Sequence, residues 1–279
     1  MKFSDSCAAC MYDRQCAKTD NADYLKKIKD ILDNRPADIT SSELVMQFNE
    51  LHEKYIGPLD DLSAEKKEYN DLVLSMEDDI RKDIEASVDP LATSIIMARI
   101  GNYIDFAALD SVDKETFIGL FDNTKMSETE MEVYDSFCRQ CSKAKSFLLL
   151  TDNCGEIVLD KLMLEQLKKR FPNLEITVMV RGADIYNDAT LEDARYVGLD
   201  TLGTIITNGR RMAGTVYKML PDKAKSVIDN SDIIFAKGQA NYESFAGEGH
   251  HAFYTFLCKC DLFINRFNVP KLTGMFVEE

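Results

Sequence analysis

The sequence predicts an α/β protein: an amino-terminal helical domain, residues 1–145, followed by a Rossmann-like three-layer α/β/α domain with a mostly parallel sheet, residues 146–279. Two observations carry this expectation. Before residue 145 apolar side chains recur at helical spacing between short polar or proline breaks. From Ser146 onward short apolar runs alternate with helical segments, the pattern of βαβ units.

In the first half, residues 23–34 carry an amphipathic stripe that Pro36 stops. Thr40-Ser41-Ser42-Glu43 places a cap before Leu44, Val45, Phe48 and Leu51, and Gly57-Pro58 ends that helix. Residues 63–86 alternate charges densely around Leu72, Val73, Met76 and Ile80, and read as one solvated helix. Asp89-Pro90 introduces an apolar helix at 91–100 that runs into Gly101-Asn102. Gly101 there permits a left-handed turn, and Asn102 reads either as a helix cap or as an amide presented to a ligand. Ser127-Glu128-Thr129-Glu130 caps a further helix. No repeat or flexible linker interrupts this half, so it should pack on the sheet domain.

In the second half, a strand at Ser146–Leu150 ends in Thr151-Asp152-Asn153, and Ile157, Leu159, Leu162, Leu164 and Leu167 then mark a helix. A strand at Glu175–Val180 leads through a polar loop to Asn187-Asp188 and a short helix at 189–197, capped by Asp188 or Thr190. A right-handed crossover places both strand ends, and hence Asp152, Asn153 and Asp188, on one sheet edge. Two carboxylates and an amide oxygen suit a hard divalent cation such as Mg²⁺ or Mn²⁺. Helix capping accounts for the same aspartates equally well. Further strands are expected at 203–207, at 231–236 ending in Lys237-Gly238, and at 251–257, followed by a helix ending before Pro270. A lysine at a strand's carboxyl end followed by glycine can reach a phosphate, although lone lysines are ordinarily surface residues.

The net charge of −15 argues against nucleic acid or an anionic membrane surface as partner. No apolar run approaches the roughly 18 residues that span a bilayer, and the amino-terminal residues lack the apolar core of a signal peptide. A cytoplasmic location is therefore expected. Eight cysteines include two Cys-x-x-Cys pairs, Cys7 with Cys10 and Cys138 with Cys141. Two readings stay open for Cys7 and Cys10, a structural Zn²⁺ site or ordinary reduced thiols. His250 and His251 are adjacent, a spacing that suits a polar loop better than a shared ion. No Gly-x-Ser-x-Gly elbow and no P-loop is present.

Four separated motifs carry a resemblance across nearly the whole chain: Gly101-Asn102-Tyr103-Ile104-Asp105, Asp152-Asn153-Cys154-Gly155-Glu156, Arg181-Gly182 with Asn187-Asp188-Ala189-Thr190, and Lys237-Gly238-Gln239-Ala240-Asn241-Tyr242-Glu243. Together with Cys7-Ala8-Ala9-Cys10 and Lys259-Cys260, they resemble the DUF89 family, the damage-control phosphatases with an ARMT1-like domain, in its prokaryotic branch. The resemblance implies a metal-dependent phosphatase of small phosphorylated metabolites such as sugar phosphates. It implies a divalent ion, Mn²⁺, Mg²⁺, Co²⁺ or Ni²⁺, held by Asp152, Asn153 and Asp188. Asp152 and Asp188 then compete for the role of nucleophile or base, against a water activated by the metal. It also implies that Lys237 neutralises the substrate phosphate, that Asn102 and Asn241 contact or shape the substrate site, and that Glu156 supports it. Two other function classes stay open: a carboxyl methyltransferase, which the missing glycine-rich loop after the first strand disfavours, and a non-catalytic metal- or metabolite-binding protein.

Overall fold

The computed structural model describes residues 3–101 and 125–279. Three helices come first: α1 (Asp5–Cys16), α2 (Ala22–Asp33) and α3 (Ser41–Tyr55). They close a small core of their own around Tyr24, Ile28, Leu32, Leu44 and Phe48. Thr40 and Glu43 form the expected capping box on α3. Helix α1, which the sequence reading does not anticipate, carries Cys7 and Cys10 one turn apart.

Residues 63–86 form two helices, α4 (Ser63–Leu74) and α5 (Glu77–Ala86), rather than one. They are also not merely solvated. Val73, Met76, Ile80 and Ile84 are at most 1% exposed and join the main core. Their three- and four-residue spacing makes a continuous apolar stripe, and burying it outweighs the dense charge around it. Helices α6 (Pro90–Ile100) and α7 (Glu128–Cys141) pack on the same core. Thus buried residues from Val73 to Ala98 and from Tyr134 to Cys141 share one core with the sheet, across residues 145 and 146.

The sheet has six strands: β1 (Ser146–Leu150), β2 (Glu175–Val180), β3 (Thr204–Thr207), β4 (Ile233–Lys237), β5 (Phe253–Leu257) and β6 (Gly274–Glu278). Their order is β3-β2-β1-β4-β5-β6, parallel throughout except for β6, which runs antiparallel to β5. Strand β6 follows Pro270 and is not anticipated, because its half-buried Gly-Met-Phe-Val-Glu lacks a clear alternation. Helices α8 (Glu156–Arg170), α9 (Leu191–Tyr196), α10 (Asp222–Asp229), α11 (Gly238–Phe245) and α12 (Asp261–Phe267) complete the described α-helices. Thr190, not Asp188, caps α9, in a capping box with Asp193.

The pleat of β1 shows how the layers form. Phe147 and Leu149 face the core shared with α5 to α8, whereas Leu148 and Leu150 face the core made with α10 to α12. Gly101, at the end of α6, has φ −50° and is right-handed, contrary to the expected left-handed turn. Its need for glycine is one of space: a β-carbon there would lie 2.9 Å from Leu159 Cδ1 and 3.1 Å from the Glu156 α-carbon. No helix among the described residues is long and apolar enough to cross a membrane.

Candidate active site

In this strand order the chain leaves β1 towards β2 on one side and returns to β4 on the other. The carboxyl ends of β1 and β4 thereby border a crevice, the usual ligand position in open α/β sheets. The loops after β1 and β2 are zipped together above it. Cys154 N donates to Asn187 O at 2.8 Å, Ala189 N to Asp152 O at 2.8 Å, and Arg181 N to Ala189 O at 2.9 Å. Asn153 and Asp188 face each other as an isolated antiparallel bridge. Asp152, Asn153 and Asp188 thus meet as expected, 6%, 5% and 4% exposed.

Arg181, the residue after β2, joins the two carboxylates. Its Nε donates to Asp188 Oδ2 at 2.5 Å and its Nη2 to Asp152 Oδ1 at 3.3 Å. Nη1 reaches Gly214 O at 3.2 Å and Asn241 Oδ1 at 3.4 Å. Asn153 Nδ2 donates to Asp152 Oδ2 at 3.2 Å. Burial raises the Asp152 carboxyl well above its ordinary range, and the charges of Asp188 and Glu156 raise it further, while Arg181 and Lys259 act in the opposite sense. Two buried carboxylates with an adjacent amide are an all-oxygen donor set of the type a hard divalent ion takes, and Arg181 already offsets part of their repulsion.

Helix α4 clamps both loops from one face. Asn70 Oδ1, fully buried, accepts from Gly155 N at 2.6 Å, holding the turn that follows Asn153 at φ 77°. One turn earlier, Lys66 Nζ pairs with Asp184 and Asp193, each at 2.6 Å. Asn70→Ala strands the buried Gly155 amide and should cost about 1–3 kcal/mol of stability. Because that turn carries Asn153, divalent-metal affinity should fall with it. Urea denaturation and metal titration of the variant check both; an unchanged affinity would mean that the turn holds itself.

Lys237 ends β4 and is completely buried, but its ammonium does not face the crevice loops. Nζ donates to Glu156 Oε1 at 2.6 Å, Asp160 Oδ1 at 2.7 Å and Ala98 O at 2.8 Å, joining α6 to α8 behind the sheet edge. Burial and the charge of Glu156 push the Asp160 carboxyl up to about 7 against the pull of Lys237. Gly238, at φ 79°, lets the backbone pass directly against Asp152; a β-carbon there would fall 1.8 Å from Oδ2. Asn241 Nδ2 donates to Lys237 O at 2.6 Å and Thr151 O at 3.0 Å, tying the ends of β4 and β1 together, while its Oδ1 accepts from Thr215 Oγ1 at 2.8 Å. Asn102 lies outside the described residues. Cys7 is half-buried and Cys10 exposed. No group of three or more His, Cys, Asp and Glu able to hold a metal gathers among the described residues, so this pair finds no further such ligands there.

Of three further residues that matter here, Arg181 and Lys259 enter the sequence reading only as parts of motifs, with no role given, and Asn70 does not enter it. Arg181 sits at the end of an apolar strand, where a cation beside two loop aspartates was the available signal. Lys259, two residues past the end of β5, acts on Asp152 by its charge. Asn70 is hidden within a charged helix.

Comparison with known proteins shows the family and the fold. Residues 4–273 match the sequence model of the damage-control phosphatase ARMT1-like domain. The chain belongs to that family. A damage-control phosphatase of Archaeoglobus fulgidus is 29% identical over 259 residues, which cover 87% of each chain. Another from Pyrococcus horikoshii is 28% identical over 228 residues, 80% of this chain and 76% of the relative. The fold matches the crystal structure of a DUF89 family protein from Pyrococcus horikoshii with a TM-score of 0.82, at 24% identity and 98% coverage of both chains.

Proposed function

We propose that this damage-control phosphatase family member is a metal-dependent phosphatase that hydrolyses phosphomonoesters of small metabolites. The observation that carries the reading is the meeting of Asp152, Asn153 and Asp188 at the crevice between β1 and β4, with both carboxylates on the one buried guanidinium of Arg181. The names of two relatives as damage-control phosphatases support the reaction class.

Asp152, Asn153 and Asp188 would hold the ion, which when bound supplies positive charge against the phosphoryl oxygens. Arg181 fixes both carboxylates in one geometry before substrate arrives, so little reorganisation remains at the moment of reaction. Lys259 adds positive charge at the same edge. An attacking water forms the new bond to phosphorus and gives its proton to Asp152 or Asp188, the ester P–O bond breaks, and the aspartate passes that proton to the departing alcohol oxygen. Lys237 acts one layer back, holding Glu156 and Asp160 and thereby the first turns of α8. A methyltransferase reading gains nothing, since the turn after β1 contains one glycine, Gly155, rather than a glycine-rich loop.

The test is phosphate release from an aryl phosphate and a panel of sugar phosphates, with metal-stripped protein and each divalent ion added back. Activity is expected only with an added ion, among Mn²⁺, Mg²⁺, Co²⁺ and Ni²⁺. Full activity in chelator would overturn the metal dependence, and silence across the panel would overturn the phosphatase reading.

A further inference from the structure

Cys7-Ala8-Ala9-Cys10 is a motif that the proposed reaction does not use. The chain holds a second pair at the same spacing, Cys138 and Cys141, and the fold treats the two pairs differently. In α7 Cys141 lies in the main core with Cys138 packed against it, and burial pushes both thiols above their ordinary range. Thiols so placed behave as small apolar side chains. Cys7 and Cys10 instead stand in the first two turns of α1, Cys7 half-buried and Cys10 exposed. Of the twelve residues of α1 only Ala8 is buried, so this end of the helix is lightly held. The cap residue Ser4 fixes Cys7 in place: its Oγ accepts from Cys7 N at 3.2 Å and donates to Cys7 Sγ at 3.1 Å. Helix residues three apart carry β-carbons about 5–6 Å from each other, and a disulfide needs about 3.5–4.5 Å. A small tightening of one unpacked turn closes that difference. No third His, Cys, Asp or Glu joins the pair as a metal ligand among the described residues.

We infer that Cys7 and Cys10 form a redox-active dithiol that exchanges with small disulfides of the class of glutathione disulfide. Cys10, the exposed member, has room for a bulky adduct. As thiolate it attacks one sulfur of the disulfide RS–SR, the S–S bond breaks, and RS⁻ leaves a mixed disulfide on Cys10. Cys7, one turn back on the same helix, then attacks Cys10 Sγ as a thiolate. The Cys7–Cys10 bond forms and the second RS⁻ departs. The two cysteine sulfurs give up two electrons, RS–SR is reduced to two thiols, and the protons lost by the cysteines pass through solvent to the departing thiolates. Because the second step is intramolecular, the pair oxidises under milder conditions than a single thiol of equal exposure. Excess RSH reverses both steps.

The full chain, kept in chelator, is equilibrated with glutathione buffers of falling reduced-to-oxidised ratio, trapped with an alkylating reagent and mapped by peptide mass spectrometry. A Cys7–Cys10 disulfide is expected at ratios where Cys16, exposed on the same helix, is still a free thiol. It should be lost on return to excess reduced glutathione. Cys7→Ser should leave Cys10 to behave as Cys16 does, oxidised only at the lower ratio and then carrying glutathione. The substituted side chain lies on a helix with one buried residue, so the fold should persist, which circular dichroism checks. Three results would overturn the inference: glutathione on Cys10 and Cys16 alike with no link to Cys7, a pair that stays reduced where Cys16 reacts, or a Cys7→Ser variant whose Cys10 oxidises as readily as in wild type. Phosphate release is not read in this experiment, so its outcome is independent of the phosphatase reading.

Discussion

Asp188→Asn should abolish phosphate release while leaving the chain folded. The substitution preserves size, and an amide oxygen can still accept from Arg181 Nε, which lies 2.5 Å from the carboxylate. What disappears is one of two charges at the site. With Asp152 alone facing Arg181, the negative charge that would hold a divalent ion is offset locally by the guanidinium. Losing several kcal/mol of transition-state charge stabilisation corresponds to a rate decrease of about 1,000-fold. Steady-state phosphate release at saturating metal, circular dichroism and a metal titration check the three parts. Release that survives the substitution would show that the oxygen site is not where the chemistry occurs.

Lys237→Met should cost stability as well as activity. The substitution leaves Glu156 and Asp160 buried, both 0% exposed, with no cation between them. Removing one partner of a buried ionic cluster costs about 3–5 kcal/mol. The loss should also depend on pH. In the wild-type fold Asp160 titrates at about 7, against an ordinary value of 3.8, so between those values the folded chain binds a proton that the unfolded chain releases. Stability contributed by this group therefore falls as pH rises through that window. The Lys237→Met variant should accordingly suffer less at pH 5, where Asp160 is protonated, than at pH 8. Urea melts of both proteins at the two pH values check this. If Lys237 served only the substrate phosphate, the variant would keep its wild-type stability and lose turnover alone.

Much of the site's scaffold was legible because it follows from period and topology. The short apolar runs of β1 and β2 and the helical spacing of α8 place Asp152, Asn153 and Asp188 on one edge, and the zipped backbone of the two loops realises that placement. Polar residues buried by tertiary packing were not legible. Lys66 and Asn70 lie in a stretch whose surface charges set its pattern, and nothing local distinguishes them from the exposed Lys67 and Asp71. Lys237 shows the same limit in reverse. A lysine ending a parallel strand reads as a phosphate ligand, but the direction of its side chain depends on which face of β4 the pleat presents to α6 and α8. The break between α4 and α5 and the edge strand β6 escaped because neither carries a proline or a strict alternation at the decisive residue.

Whether Asp152, Asn153 and Asp188 hold a divalent ion is decided by crystals grown with Mn²⁺ and measured at the manganese absorption edge. One anomalous peak is expected in contact with oxygens of Asp152, Asn153 and Asp188, absent in Asp188→Asn. A peak at Cys7 and Cys10, or no peak in a crystal of active protein, would contradict it.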